Sequence, residues 1–308
     1  MTVRRWAAFG GLVSLVLACA SSGSVRSAVD PASEEPAGPL SLPERDPRLQ
    51  AALEIELARP PFRSLVRHRQ ISVSLVDLSA REPRYAALDD DRMRYAASLP
   101  KIAILLGVFD RIVAGELEYT RSLRNQLELM IRRSDNRASS GLIELIGFET
   151  IARTLEDPRY ALYDPDRNGG LWIGKDYGGP LGYWHRDPLH NISHGATARQ
   201  VARFFVMLDQ GELISPWASA EMKRILGQPE IRHKFVRGLA ALPRLLIFRK
   251  SGTWKHWHAD AALVEHDGKR YVAVALVENP AGEQVLSRLI GRLDRIAGKR
   301  PAQVAAAP

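Results

Sequence analysis

The chain has 308 residues, 43 Lys and Arg against 35 Asp and Glu, and a formal net charge of +8. Hydrophobic residues make up 45% and charged residues 25%, a balance that excludes a largely disordered chain, a collagen-like repeat and a polytopic membrane protein. One cysteine excludes an internal disulfide framework and a Cys-rich zinc or iron–sulfur site.

Residues 1–18 read as a signal peptide, with Arg4 and Arg5 before an apolar run of about 13 residues, too short to cross a bilayer as a helix. The run ends Leu17-Ala18-Cys19, which resembles a bacterial lipobox with Cys19 as the lipidated mature N-terminus. Ala20 follows, and by the same resemblance the expected location is the periplasm, anchored to the outer membrane of a Gram-negative cell. Residues 19–47, rich in Ser, Pro, Ala and Glu, are expected to form a flexible tether, and 299–308 a frayed tail. Between them, 48–298 reads as one structural unit without internal repeats.

Within that unit a helical pattern covers 48–67 and an alternating strand 71–78, followed after a turn by a short partner strand at 84–88. An apolar helix is expected over 99–114, with Gly115 as its stop. Two or three helices continue to about 155. A Gly-, Pro- and Asp-rich stretch then runs from 157 to 195, longer than a structureless connection usually is. Helices follow at 197–208 and 216–226, strands at 244–250, 259–265 and 271–278, and a last helix at 282–296. Strands at both ends of the unit imply that its termini meet in one mostly antiparallel sheet. The expected class is α+β, with helices flanking the sheet and an inserted helical lobe.

Three short motifs occur in order: Ser98-Leu99-Pro100-Lys101, Ser134-Asp135-Asn136 and Lys250-Ser251-Gly252. Ser98 opens an apolar helix, where unpaired N–H groups favour negative charge, and Lys101 follows one turn later on the same face. Ser134 falls between helical runs, and Lys250 ends an apolar strand. Taken singly each has a plainer reading: Ser98 or Asp135 as a helix cap, Lys101 as a solvated charge, Lys250 as a strand-end charge. All three together are a specific signal.

On these motifs the unit from about 50 to 298 resembles the serine β-lactamases and penicillin-binding proteins, most closely the class A β-lactamase-like family. The resemblance implies a β-lactamase/transpeptidase-like three-layer α/β/α fold, a site between sheet and helical lobe, acyl transfer through a serine ester, and no cofactor or metal. It casts Ser98 as nucleophile and Lys101 as its base, provided burial depresses the amine's pKa. Ser134 would relay a proton, Asn136 would hold the substrate amide, and Lys250 and Ser251 would bind its carboxylate. Gly252 would let substrate approach the strand, and the N–H groups of Ser98 and Thr253 would form the oxyanion hole.

The family's deacylating Glu has no counterpart from 157 to 211, where no Glu occurs. Asp187 takes its expected place and Asn191 that of the Asn sharing the water, with His190 and His194 as alternative bases. The first two motifs are 36 residues apart, shorter than usual for the family, and the last two 116 apart. The extra length, around 169–179, is expected to form a different cleft wall or a packed surface loop. His256-Trp257-His258-Ala259-Asp260 matches a metal-binding string but lacks a further His in context, and Trp172, Trp254 and Trp257 read as core or rim.

The expected protein is therefore a monomeric serine hydrolase of β-lactams or related cell-wall peptide amides, with no nucleic-acid partner because its Arg residues are scattered. The alternatives are a penicillin-binding D-Ala-D-Ala-type peptidase or slow-deacylating homologue, and, in another class, a non-catalytic cell-envelope binding lipoprotein.

Overall fold

The computed structural model describes residues 41–178 and 184–298, all in one compact unit. The signal peptide, Cys19, most of the tether and the 299–308 tail lie outside the described residues.

The chain is already docked before the expected boundary at 47. Leu42 is buried, Arg45 pairs with Asp90 at 2.8 Å, and the Asp46 carboxylate caps helix α1 (Pro47–Leu57) by accepting from Leu49 N–H at 2.7 Å. The helical pattern at 48–67 breaks at Pro60-Pro61, where ring-locked backbone cannot continue the hydrogen-bond ladder, and resumes as α2 (Phe62–Arg67). Strands β1 (Ile71–Asp77), β2 (Arg84–Leu88) and the short β3 (Arg94–Tyr95) follow.

The helical lobe comprises α3 (Lys101–Val113), α4 (Arg121–Arg132), α5 (Asn136–Ile146) and α6 (Phe148–Glu156). The long Gly/Pro/Asp stretch is not structureless, because its glycines build paired strands β4 (Tyr163–Asp164), β5 (Gly169–Gly170), β6 (Trp172–Ile173) and β7 (His194–Ala196). Helices α7 (Ala198–Gln210) and α8 (Pro216–Leu226), capped by Thr197 and Ser215, precede the one-turn α9 (Phe235–Gly238). The chain closes with β8 (Leu246–Trp254), β9 (Trp257–His266), β10 (Lys269–Glu278) and α10 (Gly282–Ile296).

The main sheet has the order β2-β1-β10-β9-β8, and β1 pairs antiparallel with β10 in the register Ile71 to Val277 through Asp77 to Tyr271. The two ends of the domain therefore meet in one sheet, as expected. Its apolar residues divide between two cores. Val73, Leu75, Ala273 and Ala275 pack on one face with α1, α2 and α10, while Val76, Val272, Val274 and Leu276 pack on the other with α7 and the lobe. Strand alternation sends successive residues to opposite faces, which is why a sheet buried on both faces carries near-continuous apolar runs. The result is the three-layer α/β/α sandwich that the family resemblance implied.

Candidate active site

Ser98 stands in a tight turn directly before α3, not within it. Its carbonyl accepts from Lys101 N–H at 3.3 Å, and helical residues begin at Lys101. No side chain caps this helix, so the plain capping role for Ser98 does not hold. The half-buried Ser98 lines a cleft of about 780 Å³, as do Asn136, Asn191 and Thr253.

Beneath the cleft two lysines converge on the second motif. Lys101 is fully buried, and its Nζ donates to Ser134 O at 2.7 Å, Asp135 O at 3.3 Å and Asn136 Oδ1 at 2.8 Å. Burial pulls its amine down to about 7, against the opposing pull of the Asp135 carboxylate. A neutral amine with a lone pair is thus accessible near neutral pH. Among the described residues no hydrogen bond ties the Ser98 hydroxyl to Lys101. Lys250 Nζ donates to Ser134 Oγ at 2.8 Å and to Ser251 O at 2.8 Å, and burial, with Lys101 and Arg249 nearby, holds its amine well below the ordinary lysine range. Ser134 adopts φ +57°, which turns its hydroxyl to Lys250 and its carbonyl to Lys101. Asp135 points away and caps α5 by accepting from Ala138 N–H at 2.7 Å.

The third motif lies inside β8, because the strand continues through Thr253 and Trp254 into a hairpin with β9. Alternation turns Lys250 and Gly252 toward the Ser98 turn and Ser251 to the other face, where it is buried and does not line the cleft. Gly252 makes room for the protein itself: a Cβ there would lie 2.0 Å from Ala96 O and 2.9 Å from Ser98 N. The missing side chain serves the close approach of the Ser98 turn rather than that of a substrate.

Asp187 is not positioned as a deacylating base. It is buried outside the cleft lining, and its oxygens accept from the Tyr163 hydroxyl and from His190 N–H at 2.6 Å. The carboxylate ties β4 to the turn at 187–191. His190 is exposed in that turn and lines a different surface hollow.

The wall expected from the glycine-rich insertion does form, from Lys175, Asp176, Tyr177 and Gly178; Gly179 lies outside the described residues. Sequence reasoning passed over Tyr177. Its ring lies 4.4 Å from Lys101 Nζ and 4.3 Å from the His194 ring, and its hydroxyl donates to Ala97 O at 3.3 Å. His194 lines the cleft and donates from Nε2 to Lys175 O at 2.9 Å, leaving Nδ1 as the acceptor nitrogen. Burial lowers its pKa to about 4, so the imidazole is neutral at pH 7. An aromatic ring, not a carboxylate, thus faces Lys101 from this loop. Trp254 and Trp257 form the cleft rim, while Trp172 is buried against Tyr163.

The His-x-His-x-Asp string is a hairpin and an ion pair. His256 sits in the turn before β9, and Asp260 accepts from Arg249 Nε at 2.7 Å and Nη2 at 2.8 Å.

Solved structures share this fold. The beta-lactamase of Sphaerobacter thermophilus has a TM-score of 0.63 at 17% identity, covering 80% of this chain and 95% of its own. A mutant of PBP-A, solved as an acyl-enzyme complex with penicillin-G, has a TM-score of 0.62 at 20% identity, covering 83% and 97%. A representative of class A beta-lactamase from Bacteroides cellulosilyticus has 0.60 at 15%, covering 80% and 96%. No curated protein sequence matches this chain. The sequence pattern described as the beta-lactamase enzyme family matches residues 118–300, which hold the second and third motifs. With more than half of the chain matched and the fold shared, the protein belongs to the beta-lactamase enzyme family and is a serine hydrolase of that type.

Proposed function

We propose that the protein acylates Ser98 with β-lactams or related cell-wall peptide amides. The observation that carries this is the pair of buried lysines meeting at Ser134 beside the Ser98 turn. Neutral Lys101 takes the Ser98 proton as Oγ bonds to the substrate carbonyl carbon. The new oxyanion is met by the N–H groups of Ser98 and Thr253, and the C–N bond breaks as Ser134 passes its hydroxyl proton to the leaving nitrogen and takes one from the Lys250 ammonium that donates to its Oγ. Asn136 holds the substrate amide. Water then hydrolyses the ester. The acyl-enzyme captured in the PBP-A mutant supports the same chemistry here.

A second reading, a penicillin-binding or slow-deacylating protein, is favoured by one observation. The carboxylate of Asp187 is turned away from the cleft and Tyr177 occupies the approach to Lys101. Both readings are tested with nitrocefin and a fluorescent penicillin on the mature domain and its Ser98→Ala variant. Steady, Ser98-dependent nitrocefin turnover supports a β-lactamase. A stable Ser98-dependent label without turnover supports the second reading. No label on the wild type rules out both. We further propose that the chain is exported and anchored through lipidated Cys19 at the periplasmic face of the outer membrane, and acts as a monomer. Retention of Cys19→Ala in the membrane fraction would rule out the anchor.

A further inference from the structure

Lys234 belongs to none of the three motifs. It lies just before α9, is fully buried, and adopts φ +53°, a left-handed conformation unusual for a residue with a side chain. Its Nζ donates to Gly252 O at 2.6 Å, Thr253 Oγ1 at 2.8 Å and Ala259 O at 3.1 Å. Those three acceptors use all three ammonium hydrogens.

Gly252 and Ala259 are directly opposed in the β8–β9 ladder. One nitrogen reaches both carbonyl oxygens only at the gap between the strands, so Gly252 turns its carbonyl toward β9. A trans peptide points its C=O and its N–H in opposite directions. The N–H of Thr253, at the other end of that peptide unit, therefore points off the free edge of β8 into the cleft that Thr253 lines.

The geometry points to Lys234 as a positioning residue that sets the donor strength and direction of the Thr253 N–H in the oxyanion hole. A cation on the carbonyl oxygen polarises the whole peptide unit and makes its N–H more positive. That N–H matters most when Ser98 Oγ bonds to the substrate carbonyl carbon and the oxygen becomes an anion. No bond to Lys234 forms or breaks. The inference rests on the acyl-transfer reading of Ser98.

The surroundings keep the ammonium in place. Asp260, locked to Arg249, accepts from Phe235 N–H at 3.0 Å, next to Lys234 in the chain. Burial pulls the Lys234 amine down to about 8 against the attraction of Asp260, so it remains mainly a cation at pH 7. The other charged or titratable groups around it are Arg249, Lys250, Glu283, His233 and His258.

The test compares wild type with Lys234→Gln and Lys234→Met. It measures Ser98 labelling by saturating fluorescent penicillin and the affinity for phenylboronic acid, whose tetrahedral serine adduct places an oxygen in the same hole. Both Lys234 variants are expected to lose about tenfold in saturating acylation rate, because the donor is weakened rather than removed. Boronate affinity should fall in parallel while the half-saturating penicillin concentration stays within about threefold. An unchanged rate in the Lys234 variants, or a loss confined to half-saturation, would overturn the inference. If neither Lys234 variant folds, the Thr253 amide resonance of the wild type decides: titration with a midpoint near pH 8 supports it, and no titration overturns it. Absence of Ser98 labelling in the wild type would instead sink the acyl-transfer reading, and the amide titration would still report on Lys234.

Discussion

Gly252→Ala is the sharpest probe of how the site is assembled. The added Cβ would sit 2.0 Å from Ala96 O, 2.8 Å from Leu99 N and 2.9 Å from Ser98 N. All three are backbone atoms, so no side-chain rotation relieves the clash. Non-bonded heavy atoms settle at roughly 3.5 Å, so β8 and the Ser98 turn must separate by more than about 1 Å. A misplacement of about 1 Å costs on the order of 100-fold in rate. Overpacking of this kind destabilises by about 1–3 kcal/mol, and each kcal/mol lowers the Tm of a domain this size by about 2–4 °C. Gly252→Ala should therefore label about 100-fold more slowly with fluorescent penicillin, with its Tm down by about 2–12 °C. Gly291→Ala, inside α10, is the control, since its Cβ would meet Gly238 O of α9 at an ordinary 3.9 Å, and it should be neutral or stabilising by about 0.5–1 kcal/mol. Near-wild-type labelling and an intact Tm in Gly252→Ala would refute the close seating of the turn on β8.

Because Lys101 must be neutral to accept a proton, the acylation rate should rise with pH through a midpoint near 7, and a rate flat from about pH 6 to 8 would contradict its role. Lys101→Ala should lose about 100-fold or more in the same labelling assay. Asp187→Asn should lower stability by about 1–3 kcal/mol in a thermal melt by leaving one buried partner unsatisfied, while acylation and turnover stay within about threefold. Accumulation of acyl-enzyme in that variant would restore Asp187 as the base. His194, His233 and His258 are each held by burial at about 4, below the ordinary 6.5. Between those values the unfolded chain binds more protons than the folded one, so stability must fall as pH drops. A Tm lower at pH 5 than at pH 7 by about 5 °C or more is expected, with a smaller drop in His258→Gln.

The motifs were legible because their chemistry is local: Ser98 and Lys101 share one helix entrance, and Ser134 precedes a helix whose cap is Asp135. The meeting of β1 with β10 was legible from apolar strands at both ends of the unit. Tertiary partners were not. A buried Asp before Pro188 has the same sequence signature whether it faces water in a cleft or the Tyr163 hydroxyl. Tyr177 in a glycine-rich run and Lys234 in a short connection carry no periodicity, and their roles come only from what packs against them. The third motif was placed at a strand end because apolar residues stop there. Pairing with β9 carries the strand onward through polar residues.

The place of β10 in the sheet bears on how this chain can be made. Residues 269–278 form the strand between β1 and β9, so β1 and β2 have no route to the rest of the sheet until almost all of the domain has been synthesised. Contacts some 200 residues apart close slowly, because the entropy of so large a loop is lost before any pairing rewards it. A chain stopped before residue 269 would keep Ser98, Lys101, Ser134 and Lys250 yet lack the strand that registers β1 against β9. Such a fragment would expose unpaired strand edges and aggregate rather than acylate.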